Sequence, residues 1–521
     1  MTDTDICKTP QNSKNISAEH TADIYTCIET CVQYALKNGL CMPEDEYYVR
    51  NGLLALFKLD APQPVELAEI PQSIAETYEQ MTNYAAEHGL LELNTPVYRE
   101  IFDNQIGDRL LMPPSQVISL FNEYYKKLGP QAATDWFYSL CRNSNYIRTA
   151  EIARNIFYKA PCGYGEAEIT INLTKPEKDP QEIARQAAAK QLDYPKCQLC
   201  IENEGYAGRI NHPPRRLLRT IPLTLNNEDW YFQYSPYVYF NEHCIAFSKE
   251  HTPMEINRAT FERLFDFLEI FPHYFIGSNA GLPIAGGSIL SHLHFQGGRY
   301  QLPMMKADKL REFASIDPEV SLEQLHWPMP ALHLSGTNRK AVAEYAEKIT
   351  LAWESYSDPD LGILARTDSP HNTITPIARL DDGIYTLDLV LRNNRTNDQF
   401  PLGIFHPHPC RHHIKRENIG LIEVMGLFIL PGRLKEELAE VAKYIEGKEY
   451  NRDKIEKHRQ WADSFKEKYA AGTPNGAQEL IRLELAKLCM LLLSDAAVYK
   501  DTPQGQAGLE KFLTSCGLIK Q

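Results

Sequence analysis

Residues 286–298, GGSILSHLHFQGG, concentrate groups able to do chemistry on a phosphate. In a strand, side chains two apart share a face, so His292, His294 and Gln296 project together while Leu293 and Phe295 turn to apolar packing. Each step of two residues spans about 7 Å, which lets one histidine hold a metal while the next faces a separate ligand. Gly286, Gly287, Gly297 and Gly298 flank the set, as close approach of backbone to a phosphate requires. Phosphoryl transfer by histidine needs a neutral imidazole with one nitrogen held by a hydrogen bond and the other aimed at phosphorus. The rigid strand position of His294 suits that role. The plainer alternative is a half-exposed strand whose histidines only hydrogen-bond their neighbours.

Three further clusters carry chemical potential. Cys197 and Cys200 in YPKCQLC have the spacing of one end of a tetrahedral zinc site, although in a chain with 12 cysteines such a pair also arises by chance. Arg215, Arg216 and Arg219 in HPPRRLLRT supply either local positive charge for phosphorylated ligands or a solvated face. The segment FHPHPCRHHIKRENIGLIEVMG packs His406, His408, His412, His413, Lys415 and Glu423 into one short stretch.

These groups need a frame, and the periodicity of the chain supplies one. Residues 22–155 read as helical: IYTCIETCVQYALKNGL, IPQSIAETYEQMTNYAAEHGLL and SQVISLFNEYYKKLG repeat apolar residues every three or four positions. GEAEITINLTKPEKDPQEIARQAAAK then reads as strand, Pro-rich turn and helix leading into Cys197. Strand-like WYFQYSPYVYFNEHCIAF, helical NRATFERLFDFLEIFPHYF and the histidine-bearing stretch follow as strand, helix, strand. A similar texture recurs where GIYTLDLVLRNN and GIFHPHPCRHHIKR read as strands and residues 435–468 as a charged amphipathic helix. The expected class is α+β. It comprises a mainly helical region over 1–160, a first half over 161–335 and a related second half over 336–521 with C-terminal helices.

Composition narrows the partners. With 54 Lys and Arg against 68 Asp and Glu, the net charge of −14 opposes nucleic acid or an anionic membrane as the main partner. An anionic small substrate then needs a locally basic pocket. The polar opening MTDTDICKTPQNSKN has no apolar signal segment and no run of about 18 apolar residues follows, so a cytoplasmic chain is expected. In a reducing compartment its cysteines are buried hydrophobes or metal ligands rather than disulfides.

Three stretches, YFNEHCIAFSKEHTPMEI, FPHYFIGSNAGLPIAGGSILSHLHFQGG and HPHPCRHHIKRENIGLIEVMGLFILPGRL, resemble the second type of galactose-1-phosphate uridylyltransferase, a branch of the histidine-triad superfamily. The resemblance covers about residues 175–433. It implies histidine-triad-like antiparallel sheets, and it implies that His294 attacks the α-phosphorus of UDP-glucose, releasing glucose 1-phosphate. Galactose 1-phosphate then takes the uridylyl group as UDP-galactose, a ping-pong cycle of the Leloir pathway. Gln296 stands where hydrolytic relatives carry a third histidine; an amide can donate to a phosphate oxygen but cannot act as acid or base. Leu293 departs from the acidic residue found between the histidines in many relatives.

The resemblance also implies a structural zinc held by Cys197, Cys200, His251 and His292, with His243 as a rival third ligand. Asn241 and Glu242 match a ribose-binding position, and Asn279 and Ser288 match phosphate contacts, with Arg216 and Arg219 as candidate phosphate partners. Lys415 and Glu423 match hexose-binding positions, His406 and His408 a second metal site of some relatives, and relatives suggest a homodimer. Two other readings are a related nucleotidyltransferase or phosphorylase acting on a dinucleoside polyphosphate, and a noncatalytic UDP-sugar-binding protein.

Overall fold

The computed structural model describes residues 23–67, 69–174, 185, 189–190, 192–287, 289–470 and 476–520. Its centre is one antiparallel sheet of ten strands, and the α+β expectation holds. The strands are β3 (Ile221–Leu225), β4 (Glu228–Tyr234), β5 (Cys244–Ser248), β6 (Phe275–Gly277), β7 (His294–Gly298), β8 (Lys309–Phe313), β9 (Ser321–Leu325), β10 (Ala331–Gly336), β11 (Asn372–Asp381) and β12 (Ile384–Asn393). Their spatial order is β3-β4-β5-β7-β6-β11-β12-β10-β9-β8.

Read inward from each edge, that order is the same arrangement twice. Three meander strands are followed by a fifth and then a fourth, and β6 pairs antiparallel with β11 at the join. Each half inserts its helix between the third and fourth strands: Arg258–Ile270 in the first and Arg339–Ser355 in the second. Both helices start on an asparagine whose side chain accepts first-turn N–H groups, Asn257 from Thr260 and Asn338 from Lys340 and Ala341. The expected related halves are therefore real. The second set of strands begins at Lys309, so the boundary expected at 335/336 falls inside β10.

The sheet separates two apolar cores. On one side Trp230, Phe232, Ile276, Phe295 and Leu389 pack with the two inserted helices and with the N-terminal helices, among them Ile24–Lys37, Ala75–Glu87 and Pro114–Leu128. On the other side Phe275, Ile377 and Val390 pack with a small sheet of β1 (Ile156–Pro161), β2 (Glu166–Asn172) and β13 (Leu427–Pro431), and with C-terminal helices. Phe295, fully buried, stacks on Trp230 with centroids 4.8 Å apart. Phe295→Ala is expected to lower the unfolding free energy by about 3–5 kcal/mol, seen as an earlier urea midpoint.

Three expectations need correction. GIFHPHPCRHHIKR forms no strand; Pro407 and Pro409 lack the N–H a ladder needs, and a short 3-10 turn occupies Pro409–Arg411. Residues 435–468 are not one helix but Leu434–Ile445, Arg452–Ile455 and Arg459–Ala470 with a 3-10 turn between the last two, the first ended by Gly447 at φ +72°. The stretch 286–298 is strand only from His294 onward, so His292 lies just before the ladder. The helix expected within 175–190 falls largely outside the described residues. Among the described residues no helix is long and apolar enough to cross a membrane.

Candidate active site and metal centre

His294 opens β7, opposite Phe247 of β5, with Phe295 anchored in the core behind it. Its ring is held by its own chain: Nδ1 lies 2.7 Å from the carbonyl oxygen of His292. A carbonyl only accepts, so Nδ1 carries the proton and Nε2 keeps its lone pair. Burial pushes the pKa of His294 down to about 4, which leaves a neutral imidazole at neutral pH. Its backbone N–H points to the sulfur of Met254 at 3.3 Å.

His292 belongs to a second constellation. Cys197, Cys200, His251 and His292 each bring a ligand atom within 4.8 Å of the others. Cys197 Sγ lies 3.5 Å from Cys200 Sγ and 3.2 Å from His292 Nδ1, and Cys200 Sγ lies 3.1 Å from His251 Nδ1. Ligand atoms at the corners of a zinc tetrahedron sit about 3.3–3.8 Å apart, so the donor set and its spacing fit zinc. His292 Nε2 donates to the carbonyl of Ser248 at 2.7 Å, the outer hydrogen bond that fixes a metal-binding imidazole. One residue thus joins the two constellations. Its ring belongs to the metal group and its carbonyl orients His294.

His243, the rival ligand, goes elsewhere: its Nε2 meets Gln296 Oε1 at 3.1 Å. Gln296 lies half-buried on the His294 face, opposite Ile245 and Gly277. Extending the β6·β7 register by two residues carries Asn279 to the level of His294. Asn279 Oδ1 accepts from the N–H of Leu421 at 2.9 Å, and Asn418 Nδ2 reaches the carbonyl of Gly286 at 3.5 Å. The segment carrying Lys415 and Glu423 is thereby tied to the residues that precede β7.

Lys415 and Glu423 form an ion pair at 3.1 Å, and the N–H of Gly420 donates to the other carboxylate oxygen of Glu423. Burial disfavours the charge of Lys415, but Glu423 and Glu417 outweigh it and raise its pKa. Arg392, which the sequence does not single out, is fully buried beneath them and donates to the carbonyl of Ile419 at 2.9 Å. Burial lowers its pKa to about 10 against the pull of Glu423. No local pattern marks it, because its partners lie on β11 and in the segment before Leu421.

Other expected contacts are committed to the fold. The buried carboxylate of Glu242 accepts from Tyr274 at 2.5 Å and pairs with Arg299, while Asn241 donates to Glu242 and to the carbonyl of Arg299. Arg219 spends its donors on the carbonyls of Met112, Arg216 and Leu218 and is buried. Arg216 pairs with Asp108 at 3.1 Å. Both arginines thereby tether the N-terminal helices. Ser288 lies outside the described residues.

The flanking glycines serve packing as well. A Cβ on Gly297 would sit 2.1 Å from the carbonyl of Phe275, and one on Gly287 would sit 2.5 Å from Asn279 Nδ2. His406 bonds Pro407 and Asn418, and His408 lies against Asp495 and the carbonyl of Ile404. Among the described residues no second metal-holding group forms there.

This geometry agrees with the relationships of the chain. Residues 40–253 match the family model described as galactose-1-phosphate uridyl transferase, N-terminal domain, and residues 266–463 match its C-terminal domain. A galactose-1-phosphate uridylyltransferase of Caldanaerobacter subterraneus is 46% identical over 514 residues, covering 95% of this chain and 98% of that relative. Relatives of the same name from Bacillus subtilis, 45% identical over 94% of this chain and 97% of theirs, and Lactococcus lactis, 44% over 94% and 99%, agree. With both domains matched and near half of its residues shared along almost its whole length, the chain belongs to the galactose-1-phosphate uridylyltransferase family.

Proposed function

We propose that this chain passes UMP from UDP-glucose to galactose 1-phosphate through a covalent uridylyl group on His294 Nε2, as a step of galactose metabolism. The observation that carries the reading is the locked tautomer: Nδ1 is bound at 2.7 Å to the His292 carbonyl, leaving Nε2 as a neutral nucleophile beside Gln296. Nε2 attacks the α-phosphorus, the bond to the bridging oxygen breaks, and glucose 1-phosphate leaves with the electron pair. As the phosphorus–nitrogen bond forms, the ring becomes electron-poor, and the carbonyl dipole on Nδ1–H stabilises it. A phosphate oxygen of galactose 1-phosphate then attacks, and the phosphorus–nitrogen pair returns to Nε2.

Gln296 donates its amide to a phosphate oxygen during both displacements. Because an amide neither gives nor takes protons at neutral pH, water beside it is not activated against the intermediate. Cys197, Cys200, His251 and His292 would hold a zinc ion, whose bound form supplies a four-ligand cross-link that stiffens the start of β7.

Glu423 and Lys415 recognise the hexose, the carboxylate accepting sugar hydroxyls while the ammonium balances its charge. Glu423→Ala is expected to lower kcat/KM for galactose 1-phosphate by about 10- to 100-fold, the loss of one charge-assisted hydrogen bond. Steady-state exchange rates at varied galactose 1-phosphate measure it.

Intact mass in acid-free solvent tests the reading. UDP-glucose alone should add one uridylyl unit per chain, and galactose 1-phosphate should remove it. Binding without an adduct would instead make this a UDP-sugar-binding protein, and discharge by a nucleotide but not by a sugar phosphate would make it another nucleotidyl transferase.

A further inference from the structure

We propose that His243 is a positioning residue for the transfer, fixing which end of the Gln296 amide faces the phosphate; this rests on the catalytic reading of His294 and Gln296 above. The two ends of a carboxamide are nearly equal in size, so a half-turn about the last bond exchanges donor for acceptor at almost no steric cost. The exchange matters at a phosphate. The NH2 end stabilises a phosphoryl oxygen, whereas the carbonyl end repels it. Gln296 makes one side-chain hydrogen bond among the described residues, from Oε1 to His243 Nε2 at 3.1 Å, and that contact alone breaks the symmetry.

His243 can act only as the donor in this contact. It is 2% exposed, and its Nδ1 is buried with no hydrogen-bond partner among the described residues. A proton on Nδ1 instead of Nε2 would bury an N–H without an acceptor, and that cost selects Nε2–H. Burial lowers the pKa of the ring to about 4, so the donor is a neutral imidazole and adds no charge to the site.

The ring itself is held firmly. Tyr239 stacks on it with centroids 5.6 Å apart, and Phe240 packs at 4.6 Å. The N–H of His243 donates to the carbonyl of Phe240 at 3.1 Å, and the N–H of Ser235 donates to the carbonyl of His243 at 2.8 Å. The chain reaches this position through Glu242 at φ +55°, a left-handed turn held by the Glu242 carboxylate against Arg299 and Tyr274. A buried acidic anchor, a tight turn and two aromatic walls thus converge on one imidazole N–H and direct it at the catalytic amide.

A double-mutant cycle on the full chain tests this, reading the rate of uridylyl-enzyme formation from UDP-glucose by intact mass, with melting temperature as a check on folding. His243→Leu is expected to slow the step by about 10- to 100-fold with KM for UDP-glucose changed little. His243→Gln, whose Nε2 can replace the imidazole donor, is expected to recover most of the rate. In a Gln296→Ala background His243→Leu is expected to cost no more than about 2-fold further, since the amide it orients is gone. Equal losses in both backgrounds, or an unchanged rate in folded His243→Leu, overturn the proposal and leave the transferase reading standing. No adduct on the native chain overturns both.

Discussion

His294→Ala is expected to remove uridylyl transfer, lowering kcat by at least about 10,000-fold while UDP-glucose still binds. The size of the effect follows from how the ring is used. In the proposed mechanism Nε2 supplies the electron pair for the new bond to phosphorus, and neither neighbouring histidine is free to replace it. His292 has Nδ1 among the sulfurs of the metal group and Nε2 on the Ser248 carbonyl, and His243 has Nε2 committed to Gln296. The substitution should leave the fold intact, because among the described residues the His294 side chain makes one hydrogen bond, to the His292 carbonyl two positions before it, and the anchoring of β7 comes from Phe295 and Leu293 in the core. Intact mass, isotope exchange between UDP-glucose and glucose 1-phosphate, and equilibrium binding measure the three parts. Loss of the adduct and of exchange with retained binding and melting temperature is the expected pattern; a variant that still exchanges would place the nucleophile elsewhere.

The sequence is legible where chemistry is local. The shared face of His294 and Gln296 follows from alternation on one strand, and the Cys-x-x-Cys pair from spacing, because neighbours in the chain are there neighbours in space. The two halves show only as a texture in the sequence, since the repeat consists of strand order and asparagine caps rather than shared residues. The arginines are hard to read for the opposite reason. A charge run in sequence says nothing about which carbonyls it will meet, and Arg219 meets three of them, Met112 of the N-terminal region and the adjacent Arg216 and Leu218. Glu242 is similar: nothing local to an acidic residue at the start of a strand shows that Arg299, 57 positions away, pairs with it. Likewise the histidines 406–413 form a dense string, yet their rings settle on nearby carbonyls, an amide, Asp495 and His458 rather than on a common point.

Cys200→Ser carries the second large expected effect, and it should differ in kind from that of His294→Ala. Cys200 Sγ lies 3.1 Å from His251 Nδ1 and 3.6 Å from His292 Nδ1, so a serine there breaks the four-donor set at its centre. Zinc content should fall from about one per chain toward zero, because a serine hydroxyl remains protonated near neutral pH and is a poor ligand for the metal. His292 then keeps only its Ser248 contact, and the carbonyl that orients His294 Nδ1 loses half of its support. The proposed nucleophile is still present but held less well, so kcat should fall by about 10- to 100-fold, the usual cost of losing an outer support, with KM nearly unchanged. Melting temperature should fall as well, because the same group ties the 197–200 loop and His251 to the strand entry. Prolonged chelation of the native chain should reproduce both losses and added zinc should reverse them, whereas neither treatment should affect the melting temperature of Cys200→Ser. Were the variant to lose zinc yet keep full rate, the carbonyl of His292 would be fixed by Ser248 alone and the metal group would matter only to folding.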